Sequence, residues 1–158
     1  MTDPNVEKAR EIIRDIRYIT IATVSTDGLP WNTPVFAAFD EDYNFFWRSG
    51  KNSQHSQNIK ENENVFLTIY DSTSEWGTGK GIFIKAKAYE LNDERDVTYG
   101  LSLLDKRAGK TMGFADSFMN GNPRRVYKAV PEKVWVNQDS YVNGKFVDIR
   151  EEVDLLGQ

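Results

Sequence analysis

The sequence predicts a mainly β fold: a β-barrel with peripheral helices, built as a single domain over residues 1–158. Three observations predict it. Short segments rich in β-branched and aromatic residues recur between tight-turn signals. Helical periodicity is confined to the stretches around them, which describes a barrel with helical decoration. Aromatics make up 13% of the chain, a richness that suits a β core or a site for a flat ligand.

The elements follow in order. Asp3 and Pro4 suit the cap and first position of a helix, and Val6, Ala9, Ile13 and Ile16 form one apolar stripe along it. Tyr18 to Val24 reads as a strand, and Thr26-Asp27-Gly28 as a turn. Trp31 to Phe39 resumes as a strand, with Pro34 marking an edge or a bulge. After a turn at Asp40-Glu41-Asp42, Tyr43 to Ser49 completes an antiparallel meander. Asn52 to Glu63 is polar, with Ile59 as its one strong apolar anchor, and reads as a short surface helix. Val65 to Tyr70 is nearly continuously apolar, which predicts a strand buried on both sides. Ser72 to Lys80 is a loop, and Ile82 to Leu91 an alternating strand. Asp93 to Arg107 is helical through Val97, Leu101 and Leu104, while glycine-rich Gly109 to Pro123 has no assignable element. Arg125 to Val136 reads as a strand interrupted by Pro131, Asn143-Gly144 as a hairpin turn, and Arg150 to Gln158 as an acidic surface tail.

Composition removes several functions. The chain has no cysteine, which excludes disulfides, thiolate metal sites and a cysteine nucleophile. One histidine, His55, excludes a multi-histidine metal centre within one chain, and a serine–histidine hydrolase would have to use it. The net charge of −4 argues against non-specific nucleic-acid binding. No apolar run reaches membrane-span length, and Met1-Thr2-Asp3-Pro4 lacks a signal-peptide pattern, so a cytoplasmic location is expected.

Two segments are candidates for chemistry. Trp47-Arg48-Ser49-Gly50-Lys51-Asn52-Ser53-Gln54-His55 runs from a strand end into a helix start. Free backbone N–H groups, the positive helix end, Arg48 and Lys51, and the Ser49 and Ser53 hydroxyls together suit a phosphate. A solvated turn capped by Asn52 or Ser53 accounts for the same residues equally well. His55 has three readings: phosphate donor, proton-transfer group or exposed helix residue. The second segment, Glu75-Trp76-Gly77-Thr78-Gly79-Lys80-Gly81, permits close backbone approach to a ligand but lacks the βαβ setting of a dinucleotide fingerprint. Gly109-Lys110-Thr111 is no P-loop, because Leu104 stands where that motif needs glycine.

The order of the segments resembles the pyridoxamine 5′-phosphate oxidase-like family of FMN-binding split barrels. The resemblance runs from Glu11 to Val147. Its parts are Ile19 to Val24, Asp27-Gly28-Leu29-Pro30, Thr33-Pro34-Val35, Phe46-Trp47-Arg48-Ser49, Ser53 to Ile59, Asn62 to Val65, Lys85 to Ala88 and Tyr127 to Pro131. It implies a six-stranded antiparallel split barrel, a homodimer, and FMN in a groove at the subunit interface. It places Thr33, Pro34 and Val35 beside the flavin ring, and Arg48, Ser49, Lys51, Ser53, Gln54 and His55 around the phosphate. Trp76, Gly81 and Trp135 complete the implied cofactor set. Departures argue against vitamin B6 oxidation. Gln54 and His55 replace a basic Arg-Lys pair, Ala38 replaces a substrate lysine, and no Arg-x-His motif stands near Asn143-Gly144-Lys145. A flavin-contacting tryptophan of the oxidases falls at Asn137, with Trp135 as its substitute on the same strand face. The expected function is a flavin-dependent oxidoreductase on a small molecule, with Trp47 and Trp76 over the ring. The alternatives are a non-catalytic flavin-binding sensor or stress-related protein, or a split barrel holding deazaflavin or haem, where His55 would be the iron ligand.

Overall fold

Six antiparallel strands close into a ring, and a seventh continues from it as a hairpin arm. The computed structural model describes residues 3–156; Met1, Thr2, Gly157 and Gln158, which the leader and tail readings include, lie outside the described residues. In chain order the elements are α1 (Pro4–Asp15), β1 (Tyr18–Val24), β2 (Pro30–Phe39), β3 (Phe45–Gly50), α2 (Gln54–Glu61), β4 (Asn64–Tyr70), β5 (Gly81–Glu90), α3 (Glu94–Ala108), a 3₁₀ turn (Ala115–Phe118), β6 (Arg124–Val142) and β7 (Lys145–Val153). The sheet order is β3-β2-β1-β4-β5-β6-β7, and pairing of β3 with β6 closes the ring.

Local chemistry explains the element ends. Asp3 accepts the Asn5 N–H at 2.8 Å and caps α1, and Asp93 does the same for α3 through Arg95 N. Asn143 and Gly144 both take positive φ, 52° and 76°, as the two-residue turn between β6 and β7 requires.

Strand alternation fills the ring with Ile19, Ile21, Val35, Ala37, Phe45, Trp47, Leu67, Ile69, Ile82, Ile84, Val134 and Val136. Val6, Ala9 and Ile13 of α1 belong to the same cluster and plug one end. A second cluster, with Phe46, Val97, Leu101, Phe118 and Val126, lies under α3 outside the ring. Gly100 permits that approach: a Cβ there would stand 3.0 Å from Phe46 Cδ1 and 3.1 Å from Val126 Cγ1.

Four local readings are corrected. β4 is buried on one side, not both: Val65, Leu67 and Ile69 point into the ring, while Phe66 and Tyr70 are exposed, because among the described residues no helix lies over the outer face. β6 is not broken at Pro131. It runs from 124 to 142 and absorbs the proline with a bulge, where the register steps from Lys85↔Lys133 to Ala86↔Pro131 and leaves Glu132 unpaired. The proline falls where β6 exchanges one neighbour for another, between its pairing with β3 (up to Ala129) and with β7 (from Val134). The tail from Arg150 is not a loose surface segment: β7 continues to Val153, Val153 and Leu155 are buried, and Arg10 donates to the Leu155 carbonyl at 2.6 and 3.1 Å. The helix read over 52–63 spans 54–61 and is half-sunk, with His55, Ser56, Asn58 and Ile59 all buried.

Candidate functional site

The ring is split between β2 and β3. Their ladder holds three pairs, Ala37↔Trp47, Ala38↔Phe46 and Phe39↔Phe45, and then the strands part, β3 staying with β6. The Ala37 N–H donates to Arg17 O at 3.0 Å on the β1 side, so alternation turns the backbone polar groups of Val35 and Thr33 toward β1. Those of Asn32, Pro34 and Phe36 face the open edge. Pro34 is the residue whose missing N–H would have pointed into the split, which is why a proline is tolerated in mid-strand.

α2 lies at this split, and its inward face is polar. Among the described residues, the buried polar side chains of the core are Thr23, His55, Ser56 and Asn58, and all four meet here. Burying polar groups is costly unless they are paired, and these form a network. His55 Nε2 lies 2.7 Å from Ser49 Oγ and 3.3 Å from Ser53 Oγ. Ser53 donates to Ser56 Oγ at 2.9 Å. Asn58 donates to Thr23 Oγ1 at 2.9 Å and accepts from Gln54 Nε2 at 2.8 Å. Ser53 stands at the N-cap but makes no side-chain cap bond, which leaves its backbone neighbours in the first turn of α2 available to an acceptor.

The electrostatics follow from burial. Desolvation pushes the His55 imidazole below its ordinary range, so it is neutral near pH 7. Arg48 is on the other face of β3 from Ser49. It donates to Met112 O at 2.9 Å and lies over the Phe118 ring at 5.5 Å, with Arg124 over the same ring at 5.0 Å. Burial and the Arg124 charge lower its pKa, and Asp105 opposes them. The guanidinium is therefore turned away from the Ser49–His55 cluster. Lys51 adjoins the cluster, half-buried, its N–H donating to Pro123 O at 2.8 Å. Arg125, opposite Ser49 in the ladder, is engaged with Glu90 at 2.8 Å.

The structure thus brings Ser49, Ser53, Gln54 and His55 together. A groove of about 550 Å³ between the β1–β2 turn and α2, lined by Pro30, Trp31, Gln54 and Asn58 among others, joins them to the start of β2. On β2, Pro34 is exposed, Val35 is buried, and Thr33 Oγ1 accepts from Trp31 Nε1 at 2.8 Å. Trp76, Gly81 and Trp135 lie elsewhere. Trp76 is fully exposed on the β4–β5 loop. Gly81 opens β5 and donates to Asn137 Oδ1 at 2.7 Å. Trp135 stacks on Phe66 on the outer face, ring centroids 6.2 Å apart. Trp135, Phe83, Thr68, Thr20 and Pro34 occupy one ladder row, so three strands stand between Trp135 and β2 along the curved sheet. Trp47 does not line a ligand space: it is fully buried in the ring, stacked on Tyr127 at 5.7 Å. Thr23, Ser56 and Asn58 were not legible as site residues, although the polar 55–58 run beside Ile59 is a signal that α2 turns a polar face inward.

The sequence profile of the pyridoxamine 5′-phosphate oxidase family matches residues 6–138. The chain belongs to the pyridoxamine 5′-phosphate oxidase-like family. Solved split barrels share its fold at low identity. Atu2129 of Agrobacterium tumefaciens, of unknown function, superposes with a TM-score of 0.68 at 16% identity, over 87% of this chain and 58% of that one. The match thus spans little more than half of Atu2129. HutZ, a haem storage protein of Vibrio cholerae, gives 0.67 at 14% identity over 82% and 92% of the two chains. General Stress Protein 26 of Bacillus anthracis gives 0.60 at 17% over 91% and 98%. No curated protein matches the sequence. Ala38 is buried in the ring wall, and the Asn137 side chain holds the β4–β5 loop. Among the described residues no helix is long and apolar enough to cross a membrane.

Proposed function

We propose that this chain binds FMN as a homodimer and works as a cytoplasmic flavin-dependent oxidoreductase on a small molecule. The observation that carries this reading is the convergence of the core's buried polar side chains at one point, beside the open edge of β2. The donor set fits a phosphate: the Ser49 and Ser53 hydroxyls, the free N–H groups of the first turn of α2, and the Lys51 charge. The free backbone groups of Asn32, Pro34 and Phe36 fit the polar rim of a flavin ring, with Thr33 and Val35 between them. Bound flavin supplies hydride and electron transfer, and the chain supplies binding and orientation.

The dimer rests on the outer face. The continuous apolar pattern of β4 asks for burial on both sides, and one chain provides it on one. Phe66 and Trp135, together with the Tyr18–Phe36 pair, form an aromatic surface suited to a second copy. Trp135 stacks on Phe66 three strands along the sheet from β2, and in this reading it, Gly81 and Trp76 serve the partner's groove. The likeness to a haem storage protein raises haem as an alternative. Against it, the single imidazole of the chain is buried and already engaged with Ser49 and Ser53.

Titration of FMN into the purified protein, followed by flavin fluorescence and run beside riboflavin, tests the reading. FMN is expected to bind at least tenfold tighter than riboflavin, and equal affinities or no binding of either would overturn it. Bleaching of the bound flavin by reduced nicotinamide separates an oxidoreductase from a non-catalytic flavin carrier.

A further inference from the structure

A phosphate at the α2 turn needs more countercharge than the turn holds. A phosphomonoester carries about −1.5 to −2 at pH 7. Arg48 faces the α3 side and is engaged with Met112 O and Phe118. Arg125 from β6 is paired with Glu90 from β5, and Tyr127 from β6 is a neutral phenol stacked on Trp47. Arg124, opposite Gly50 in the ladder, lies over the Phe118 ring. Among the described residues that leaves Lys51 beside the turn, and one ammonium does not balance a dianion. β1 contributes uncharged Thr23, and α2 itself contributes the amides of Gln54 and Asn58. The remaining titratable group in the cluster is His55, with 7% of its surface exposed.

The positions of the two serines bear on its protonation. One imidazole nitrogen stands 2.7 Å from Ser49 Oγ and 3.3 Å from Ser53 Oγ. In the neutral tautomer with its proton on Nδ1, Nε2 has one lone pair and draws a serine proton toward itself, away from any ligand. A protonated Nε2 donates to the serine oxygens and leaves both hydroxyl protons free to point at an anion. Resting on the FMN reading above, we infer that His55 is a positioning residue that is neutral in the free protein, with its proton on Nδ1, and takes up one proton from solvent at Nε2 when a phosphate monoester binds, turning Ser49 and Ser53 into donors. An anion close by favours the charged imidazole, so affinity for the phosphate falls as pH rises through the bound-state pKa, while affinity for riboflavin does not change with His55.

Because the chain has one histidine, its ring is observed directly. Tag-free, ¹⁵N-histidine-labelled protein is measured at pH 7 alone, with saturating FMN and with riboflavin. The expected imidazole pattern is neutral alone, cationic with FMN and neutral with riboflavin. Calorimetry of FMN binding in buffers of different ionisation enthalpy should report uptake of about half to one proton per FMN. In His55→Gln that uptake should vanish, and the preference for FMN over riboflavin should fall at least tenfold. An imidazole that stays neutral with FMN bound overturns the inference and leaves the flavin reading intact. Failure of FMN to bind overturns the flavin reading. The same spectra with 100 mM inorganic phosphate then decide the inference, and an unmoved imidazole overturns it.

Discussion

Asn137 holds Gly81 by a 2.7 Å hydrogen bond from the glycine N–H to its side-chain oxygen, and its amide nitrogen donates to Gly79 O at 3.2 Å. One side chain on β6 thus fixes the end of the loop that carries Trp76. Asn137→Ala should remove both bonds, cost about 1–2 kcal/mol, and speed proteolytic cleavage within residues 71–80. Unchanged cleavage kinetics would show that the loop is held by other contacts.

Arg107 ties α3 to the end of α1. Its guanidinium donates to Ile13 O, Arg14 O and Ile16 O at 2.8 to 3.0 Å and lies over the Phe39 ring at 5.2 Å. It satisfies carbonyls that a helix C-terminus leaves unpaired. Arg107→Ala should lower stability by about 2–3 kcal/mol in urea unfolding. Arg107→Lys should recover less than half, because a lysine ammonium lacks the planar fork.

Asn58→Ala should strand the Thr23 hydroxyl, which is 1% exposed and bonded to Asn58. An unpaired buried hydroxyl costs about 1–3 kcal/mol. The double variant Thr23→Val, Asn58→Ala should be more stable than Asn58→Ala alone, since both partners are then absent. Equal stability of the two would mean that the Thr23 hydroxyl finds another donor.

Stability should fall as the solution is acidified through the His55 range. Burial lowers the folded-state pKa below the ordinary 6.5, so the unfolded chain takes up the proton first. The His55 contribution is intact above about pH 6.5 and is lost below it, with a slope of up to about 1.4 kcal/mol per pH unit until the folded imidazole titrates. Urea midpoints between pH 7.5 and 5.5 should show a shallower decline in His55→Gln than in the parent protein.

Phe66→Arg places a charge on the outer face beside Trp135 without touching the ring interior. Light scattering should show a shift from dimer to monomer, while circular dichroism stays unchanged. An unaltered mass would move the dimer interface to another surface.

Most of the fold was legible because local chemistry and periodicity agree with it. The Asp3 and Asp93 caps, the Asn143-Gly144 turn and the alternation of Ile82 to Ala88 act within a few residues and need no distant partner. Pro131 misled for the same reason: a proline breaks a ladder locally, but here it sits at a bulge where β6 exchanges β3 for β7 along one edge. The buried helix face at 55–58 was illegible because polar residues read as solvated until something is known to lie on top of them.

The sequence by itself determined the β-rich class, the strand and helix order, the polar strand-to-helix turn from Ser49 to His55, and the exclusion of cysteine chemistry. These follow from residue type and short-range spacing. The tertiary structure alone decided that β2 and β3 part after three pairs, that Arg48 points away from Ser49, and that His55 is enclosed with Ser53, Ser56, Asn58 and Thr23. Each of these depends on which strand face meets which distant element. Alternation along a strand shows that two neighbours diverge, and only ring closure shows which of them faces the site.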